Sequence, residues 1–275
     1  MKTYEAPLPD YAQPPVIEVV CGIQYTPLKD FRATTFGLFW QRIRADYETI
    51  EEVAPLSPVI ELSSSAKPAP DRAKLKLFDS PPLPRLFFSQ RNHNWLLQLQ
   101  QDRFLHNWRK EREEDVYPRY PAVYGMFWGA WERFLAFLME EKINPPVINQ
   151  LEITYINHIP AGQGWETLAD LGKIFRDVGW VHGERFLPSP ESVGLRWAFV
   201  LPDSTGRLHI SLKHAVRVSD NQPVLLCELT ARGLPASDNN AAIKDWFDLG
   251  REWIVRGFAD IIDITIQKEQ WGRKV

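Results

Sequence analysis

The residues best suited to chemistry lie together in the segment QLQQDRFLHNWRK, at positions 98–110. Amide, guanidinium and indole side chains alternate there with apolar residues along a predicted β-hairpin. Amides can hydrogen-bond to the backbone of a partner chain, arginine can bind an anion, and tryptophan can stack on a base. The candidate partner-binding residues of this hairpin are Gln98, Gln100, Arg103, Asn107, Trp108 and Arg109.

Two interpretations of this hairpin remain open. Side chains alternate along a strand, so Gln98 and Gln100 share one face if Leu97 points into the core. That face would then be an open surface for a partner. The alternative is a tight turn at positions 101–102 with solvated flanks and no binding role.

A second candidate follows in the segment YPRYP, at positions 117–121. Its two prolines form a rigid lead-in to a helix, and Pro121 suits the first helical position. Arg119 lies in this lead-in, where it can bind an anion or form an ion pair with Glu113 or Glu114. We include Arg119 among the partner-binding candidates.

No recognised catalytic motif accompanies these residues. The sequence has no HExxH or paired-cysteine metal spacing, no GxSxG nucleophile motif, no P-loop and no dinucleotide-binding glycine pattern. We therefore expect no catalytic residues, no metal and no cofactor. This favours a binding protein over an enzyme.

The elements that must position the candidates form the same order twice along the chain. Each half has a strand, a helix, several strands and a long helix, as judged from apolar residues at strand or helix spacing. In the first half these are predicted at 16–25, 35–50, 85–89, 94–100, 103–110 and 122–140. In the second half they are predicted at 148–159, 168–178, 193–201, 207–215, 224–232 and 241–262.

The repeated order predicts an α+β fold made of two pseudo-repeats. The sequence Pro-Pro-Val occurs at 14–16 and again at 145–147, which places the halves at 1–146, including a proline-rich lead-in, and 147–275. Such units are typical of TATA-binding-protein-like or helix-grip folds, and the short join predicts one body. The proline-rich segment 54–84 is predicted to be an excursion with a single strand at 74–78.

Composition limits the partner and the location. The formal net charge of −3 argues against a general polyanion binder. Neither a signal peptide nor a run of about 18 apolar residues is present, so we expect a cytoplasmic protein without a membrane segment. Cys21 and Cys227 lie in apolar strand patterns and are predicted to be reduced core residues.

Several segments together resemble a sporadically distributed family of uncharacterised prokaryotic proteins. They are PPVIEVVCGIQY near the start, QLQQDRFLHNWRK and YPRY in the middle, and TYINHIP early in the second half. The resemblance implies no activity or catalytic residues. The patchy occurrence of this family is similar to that of defence or toxin–antitoxin genes, which implies a partner encoded nearby.

We therefore expect a non-enzymatic binding protein, such as the partner-binding or inhibitory component of a two-gene system. One alternative is a helix-grip cavity for an apolar ligand, which Trp165, Trp180 and Trp197 would line. Another is nucleic-acid binding on a saddle-like sheet, with Trp95 and Trp108 stacking on bases beside the basic residues of the hairpin.

Overall fold

A single antiparallel sheet of nine strands carries the fold in the computed structural model, which describes residues 6–61, 83–179, 183–184 and 186–275. The strands are β1 (Val16–Tyr25), β2 (Thr49–Val53), β3 (Arg85–Ser89), β4 (Trp95–Gln100), β5 (Arg103–Arg109), β6 (Ile148–Pro160), β7 (Gly194–Val200), β8 (Gly206–Val216) and β9 (Pro223–Gly233). The helices are α1 (Ala33–Ile43), α2 (Tyr120–Glu140), α3 (Leu171–Ile174), α4 (Asn240–Ile261) and α5 (Ile264–Glu269). The predicted α+β class with an antiparallel sheet is confirmed.

The strands of the two halves of the chain occupy opposite sides of this sheet. Their order is β2-β3-β4-β5-β1-β6-β9-β8-β7, so the antiparallel pair β1–β6 lies near the middle. Outward from β1 come β5, β4, β3 and β2, and outward from β6 come β9, β8 and β7. Strands from both sides of the predicted boundary at residue 146 therefore belong to one hydrogen-bonded sheet.

The helices pack on one face of the sheet, where the aromatic residues form the core. From α2, Trp131 and Phe134 contact Phe104 of β5 at ring-centroid distances of 5.3 and 5.4 Å. Phe247 of α4 lies 5.1 Å from Phe127 of α2, so the two long helices share this core. Large aromatic side chains in edge-to-face contact bury extensive apolar area, which accounts for the abundance of Trp and Phe.

The first helix differs from the prediction at both ends. It ends at Ile43 instead of residue 50, and Thr49–Val53 forms β2, an edge strand paired with β3. The helix begins at Ala33, two residues before the predicted start. Arg32 is the N-cap residue, and Thr35, one turn into the helix, accepts a hydrogen bond from the Arg32 N–H at 3.0 Å.

The helix predicted at 168–178 is much shorter than expected. A 3-10 turn at Leu168–Asp170 leads into α3, which ends at Ile174. The chain then becomes extended, because Phe175 forms an antiparallel bridge with Ile262 and its neighbour Arg176 donates to the Ile261 carbonyl. This tertiary pairing overrides the local helical pattern. The strand predicted at 74–78 lies outside the described residues.

Both cysteines are buried and free, as predicted. They lie on β1 and β9 with their side chains on the helix-covered face. Burial raises the pKa of the Cys227 thiol to about 12, so it stays protonated near neutral pH. In the part of the chain that the structure describes, no helix combines the length and the apolar character needed to cross a membrane.

Candidate binding face

The sheet face away from the helices, here called the polar face, carries most of the charged strand residues. Alternation along each strand assigns side chains to this face, opposite the buried apolar residues. Its basic residues in the described strands are Arg85, Arg103, Arg109, Arg196, Arg207, Lys213 and Arg232. Its acidic residues are Glu18, Glu51, Glu152 and Glu228. Basic residues outnumber acidic ones here, in contrast to the whole chain.

An extended part of the chain itself lies across the polar face. Residues 54–61, here called the crossing segment, follow β2 and run over the sheet. The segment contacts Gln100 of β4, Arg103 of β5, Gln24 of β1 and Gln150 of β6 in turn, and it reaches His209 of β8. It thus passes from strands of the first half to strands of the second.

Glutamine amides hold the backbone of the crossing segment. Gln100 accepts a hydrogen bond from the Leu56 N–H at 2.8 Å, and its Nε2 donates to the Leu56 carbonyl at 2.9 Å. Gln150 accepts from the Glu61 N–H at 2.7 Å and donates to the Val59 carbonyl at 2.5 Å. Each side-chain amide therefore satisfies both a main-chain donor and a main-chain acceptor, as a neighbouring strand would.

Arg103 of β5 lies under the middle of the crossing segment and hydrogen-bonds to it. Its Nη2 donates to Gln24 Oε1 at 2.6 Å and to the Ser57 carbonyl at 3.2 Å. Arg103 is only 5% exposed, and within the described ranges no carboxylate forms an ion pair with it. Burial lowers the pKa of Arg103, but guanidinium remains charged in proteins. A buried positive charge thus lies under the segment and is held by neutral acceptors.

The far end of the segment is held by charge. Glu61 accepts from Arg207 Nη1 at 3.0 Å and pairs with His209 Nε2. Burial alone would raise the pKa of Glu61, but the hydrogen bonds and charges of His209 and Arg207 outweigh it, and the pKa is lowered. Glu61 is therefore ionised at neutral pH and anchors the segment to β8.

A hydrogen-bonded row of side chains runs beside the crossing segment. Arg85 donates to Gln98 Oε1 at 3.0 Å, Gln98 donates to Asn107 Oδ1 at 2.9 Å, and Asn107 donates to Glu18 Oε1 at 2.5 Å. Burial raises the pKa of Glu18, although the Asn107 hydrogen bond and the charge of Arg109 oppose this shift. The row connects β3, β4, β5 and β1 on the polar face.

The structure brings four of the sequence-predicted residues together on the polar face, namely Gln98, Gln100, Arg103 and Asn107. The expectation that they are exposed is wrong, because all four are between 3% and 7% exposed. The open hairpin surface is instead a buried hydrogen-bonded layer.

The other three candidates lie outside this buried group, although Arg109 shares the polar face. Trp108 points to the helix-covered face, where its ring lies 5.3 Å from Tyr117. Arg109 lies at the end of β5 and pairs with Glu111 at 3.1 Å. Arg119 is the N-cap residue of α2 with a φ of 72°, and it pairs with Asp10 at 3.0 Å instead of Glu113 or Glu114. Among the described residues, no contact joins Arg119 to the crossing segment.

Sequence reasoning missed Gln24, Gln150, Arg207 and His209, which complete the contacts to the crossing segment. The available signal was weak. Each is a polar residue that alternates with buried residues along its strand. Their common partner, the crossing segment, is distant from them in sequence. No motif links them.

The described residues contain no group of three or more His, Cys, Asp or Glu side chains arranged to hold a metal ion. No protein-family model matches this chain. No curated protein matches it either.

Proposed function

We propose that the protein is a non-enzymatic binding protein whose polar face holds an extended polypeptide segment of a partner protein. The observation that supports this proposal is the crossing segment, which occupies the face in the manner of a bound peptide. Five strands contribute side chains that contact its backbone or the Glu61 side-chain carboxylate. A surface that binds one extended polypeptide segment in this way can bind a second extended segment with the same hydrogen-bonding groups.

The way in which the crossing segment is held favours exchange with a partner. Val59 and Ile60 remain 46% and 53% exposed, so burial of apolar side chains contributes little to its attachment. The attachment rests on backbone hydrogen bonds and on the Glu61 ion pairs. Each such hydrogen bond has a modest net value, about 0.5–1.5 kcal/mol. A partner segment that offers the same groups can therefore compete.

The contacts also indicate which partner sequences the face would accept. The hydrogen bonds that Gln100 and Gln150 make to the crossing segment go to its main-chain atoms, so they place little demand on side-chain identity. Arg207 and His209 contact the Glu61 carboxylate, so they select an acidic residue at one end. We propose a partner segment in extended conformation that ends in an acidic residue. The family resemblance further suggests that a neighbouring gene of a defence or toxin–antitoxin-like system encodes it.

A peptide added in trans tests this proposal. In the full chain, residues 54–61 are replaced with a glycine-serine segment of equal length, and a labelled peptide APLSPVIE is titrated while fluorescence anisotropy is measured. We expect the peptide to bind this variant and to bind the unaltered protein more weakly. In the unaltered protein the face is already occupied.

N-methylated peptides provide matched controls. Methylation of the Leu56 nitrogen or the Glu61 nitrogen removes the donor to Gln100 or Gln150 and is expected to weaken binding about five- to tenfold. The Ile60 nitrogen makes no hydrogen bond to the described residues, so its methylation is expected to have little effect. Equal losses for all three peptides, or no binding at all, would contradict the proposal.

Nucleic-acid binding remains the second candidate, supported by the excess of basic residues on the polar face. Its proposed stacking groups are in the wrong place, since Trp95 pairs directly with Trp108 on the helix-covered face. Many polar-face charges are also already paired, as with Arg232 and Glu152. Salt-sensitive binding of DNA or RNA to the glycine-serine variant, without peptide binding, would favour this alternative.

The alternative of a helix-grip cavity for an apolar ligand is weakened, because the tryptophans proposed to line it have other roles. The Trp165 side chain is buried, and its Nε1 donates to the Ile159 carbonyl at 3.1 Å. Trp197 packs against the core cluster, and Trp180 lies outside the described residues. Core packing accounts for the two that the structure describes.

We further propose that the fold is a TATA-binding-protein-like pseudo-repeat. The strand order supports this, because β5-β4-β3 beside β1 mirrors β9-β8-β7 beside β6, and a long helix closes each half. Superposition of residues 16–140 on 148–262 is expected to align these strands and to place α2 on α4. Unrelated helix positions after superposition would refute the repeat.

A further inference from the structure

A cleft of 320 Å³ opens on the helix-covered side of the sheet, far from the crossing segment. One wall is α4, the floor includes Tyr155 and Asn157 of β6, and residues 8–11 form the roof. The roof is held at its end, because the Asp10 carbonyl accepts from the Lys274 N–H and the Tyr11 carbonyl accepts from Arg119 Nη2, each at 2.9 Å. The volume of the cleft is at the lower end of the range for small-molecule sites.

Arg251 supplies positive charge to this cleft. Its guanidinium lies 4.9 Å from the centre of the Tyr120 ring, and within the described ranges no carboxylate forms an ion pair with it. The other arginine of the cleft, Arg119, pairs with Asp10 at 3.0 Å, and Asp10 also pairs with Lys274 at 3.1 Å outside the cleft lining. Arg251 is therefore the basic residue of the described lining that has no carboxylate partner, and an anionic group of a ligand can take that place.

Two tyrosine hydroxyls add hydrogen-bond donors beside this charge. Tyr117 and Tyr155 form a hydrogen bond of 3.0 Å between their hydroxyl oxygens. Only one of them can donate in that bond, so the other O–H remains for a third group. Burial raises the pKa of Tyr117 to about 12, and the charge of Arg251 opposes this shift. Burial raises the pKa of Tyr155 as well, again opposed by the charge of Arg251, so both hydroxyls are protonated at neutral pH and lie within the electrostatic range of Arg251.

Apolar side chains form the rest of the lining. They are Leu8, Pro9, Ile254, Val255 and Phe258. A ligand that fills the cleft must therefore combine an anionic head with an apolar body. This lining suits a carboxylate carried on an apolar body better than it suits a hydrated phosphate ion, which has no apolar part to bury.

We propose that this cleft binds a small monocarboxylate with an aliphatic or aromatic body, whose carboxylate accepts hydrogen bonds from Arg251 and from the Tyr117–Tyr155 pair. The proposal is independent of the function of the polar face. It assigns a second site, on the opposite face of the sheet, for a small molecule instead of a polypeptide.

Paired acids and amides test the proposal. Hexanoate, benzoate and phenylacetate are titrated into the full chain by calorimetry, each compared with its neutral amide and with inorganic phosphate. We expect at least one acid to bind about tenfold more tightly than its amide, since only the acid makes a charge-assisted hydrogen bond. Phosphate is expected to bind more weakly than that acid. If every acid binds no better than its amide or than phosphate, the proposal is wrong.

Variants assign the binding to the cleft. Arg251→Met is expected to weaken binding of that acid about tenfold, whereas Arg112→Met, a change at an exposed arginine outside the cleft, is expected to leave it unchanged. Tyr117→Phe keeps the ring and removes one hydroxyl, so it is expected to weaken binding severalfold and serves if Arg251→Met fails to fold. Undiminished affinity in Arg251→Met, or in Tyr117→Phe in that case, would overturn the assignment. Neither variant should alter peptide binding on the polar face.

Discussion

Replacement of Trp131 by alanine is expected to lower the free energy of unfolding by about 3–5 kcal/mol, the usual cost of truncating a buried tryptophan. Trp131 is 2% exposed, and its ring packs edge to face on Phe104 at 5.3 Å. Loss of the indole would leave a cavity between α2 and the sheet. Chemical denaturation followed by circular dichroism measures the change.

Trp128→Ala is the matched control on the same helix. Trp128 is only partly buried, stacks on Tyr124 at 6.0 Å and donates to Glu132. Its replacement is expected to cost less than about 2 kcal/mol. If the two variants are equally destabilised, the assignment of the α2 core stripe is incorrect.

Arg103→Ala is expected to destabilise the fold by about 1.5–3 kcal/mol. The change removes two hydrogen bonds from a charged donor and leaves the Gln24 and Ser57 acceptors without that partner. It should also loosen the crossing segment, so hydrogen exchange of the Leu56 and Glu61 amides should accelerate relative to amides in the core. Hydrogen-exchange mass spectrometry and denaturation of one preparation measure both effects.

Arg109→Ala provides the comparison on the same strand. Arg109 is more exposed, pairs with the partly exposed Glu111 and makes a long hydrogen bond of 3.5 Å to the His93 carbonyl, so its loss is expected to cost about 0–1 kcal/mol. The crossing-segment amides should keep their protection in this variant. Equal unfolding energies for the two arginine variants would show that Arg103 does not support the segment.

The strands were largely predictable because their signals are local. The β-branched run after Pro14-Pro15 gave β1 its observed bounds, Val16–Tyr25, and alternation placed β7, β8 and β9 within one or two residues. Strand β2 was missed because Thr49–Val53 is exposed almost throughout and shows no alternation. Its pairing partner β3 lies beyond the 54–84 excursion.

The candidate site was only half predictable for a related reason. Alternation correctly placed Gln98 and Gln100 on the face opposite Leu97. It could not show that residues 54–61 cover this face, because that contact depends on tertiary structure. Trp108 and Asn107 were grouped as one surface, although adjacent strand residues point to opposite faces.

The path of the crossing segment has a consequence for the order of folding. Glu61 bonds to Gln150 and His209, which follow it in the chain by 89 and 148 residues. During synthesis these partners emerge long after the segment itself, and contacts between residues so distant in sequence form late. We therefore expect a nascent chain to hold the crossing segment only by its first-half contacts, at Leu56, Ser57 and Val59. The Glu61 end would stay unattached, and so open to an early partner, until β6 and β8 join the sheet.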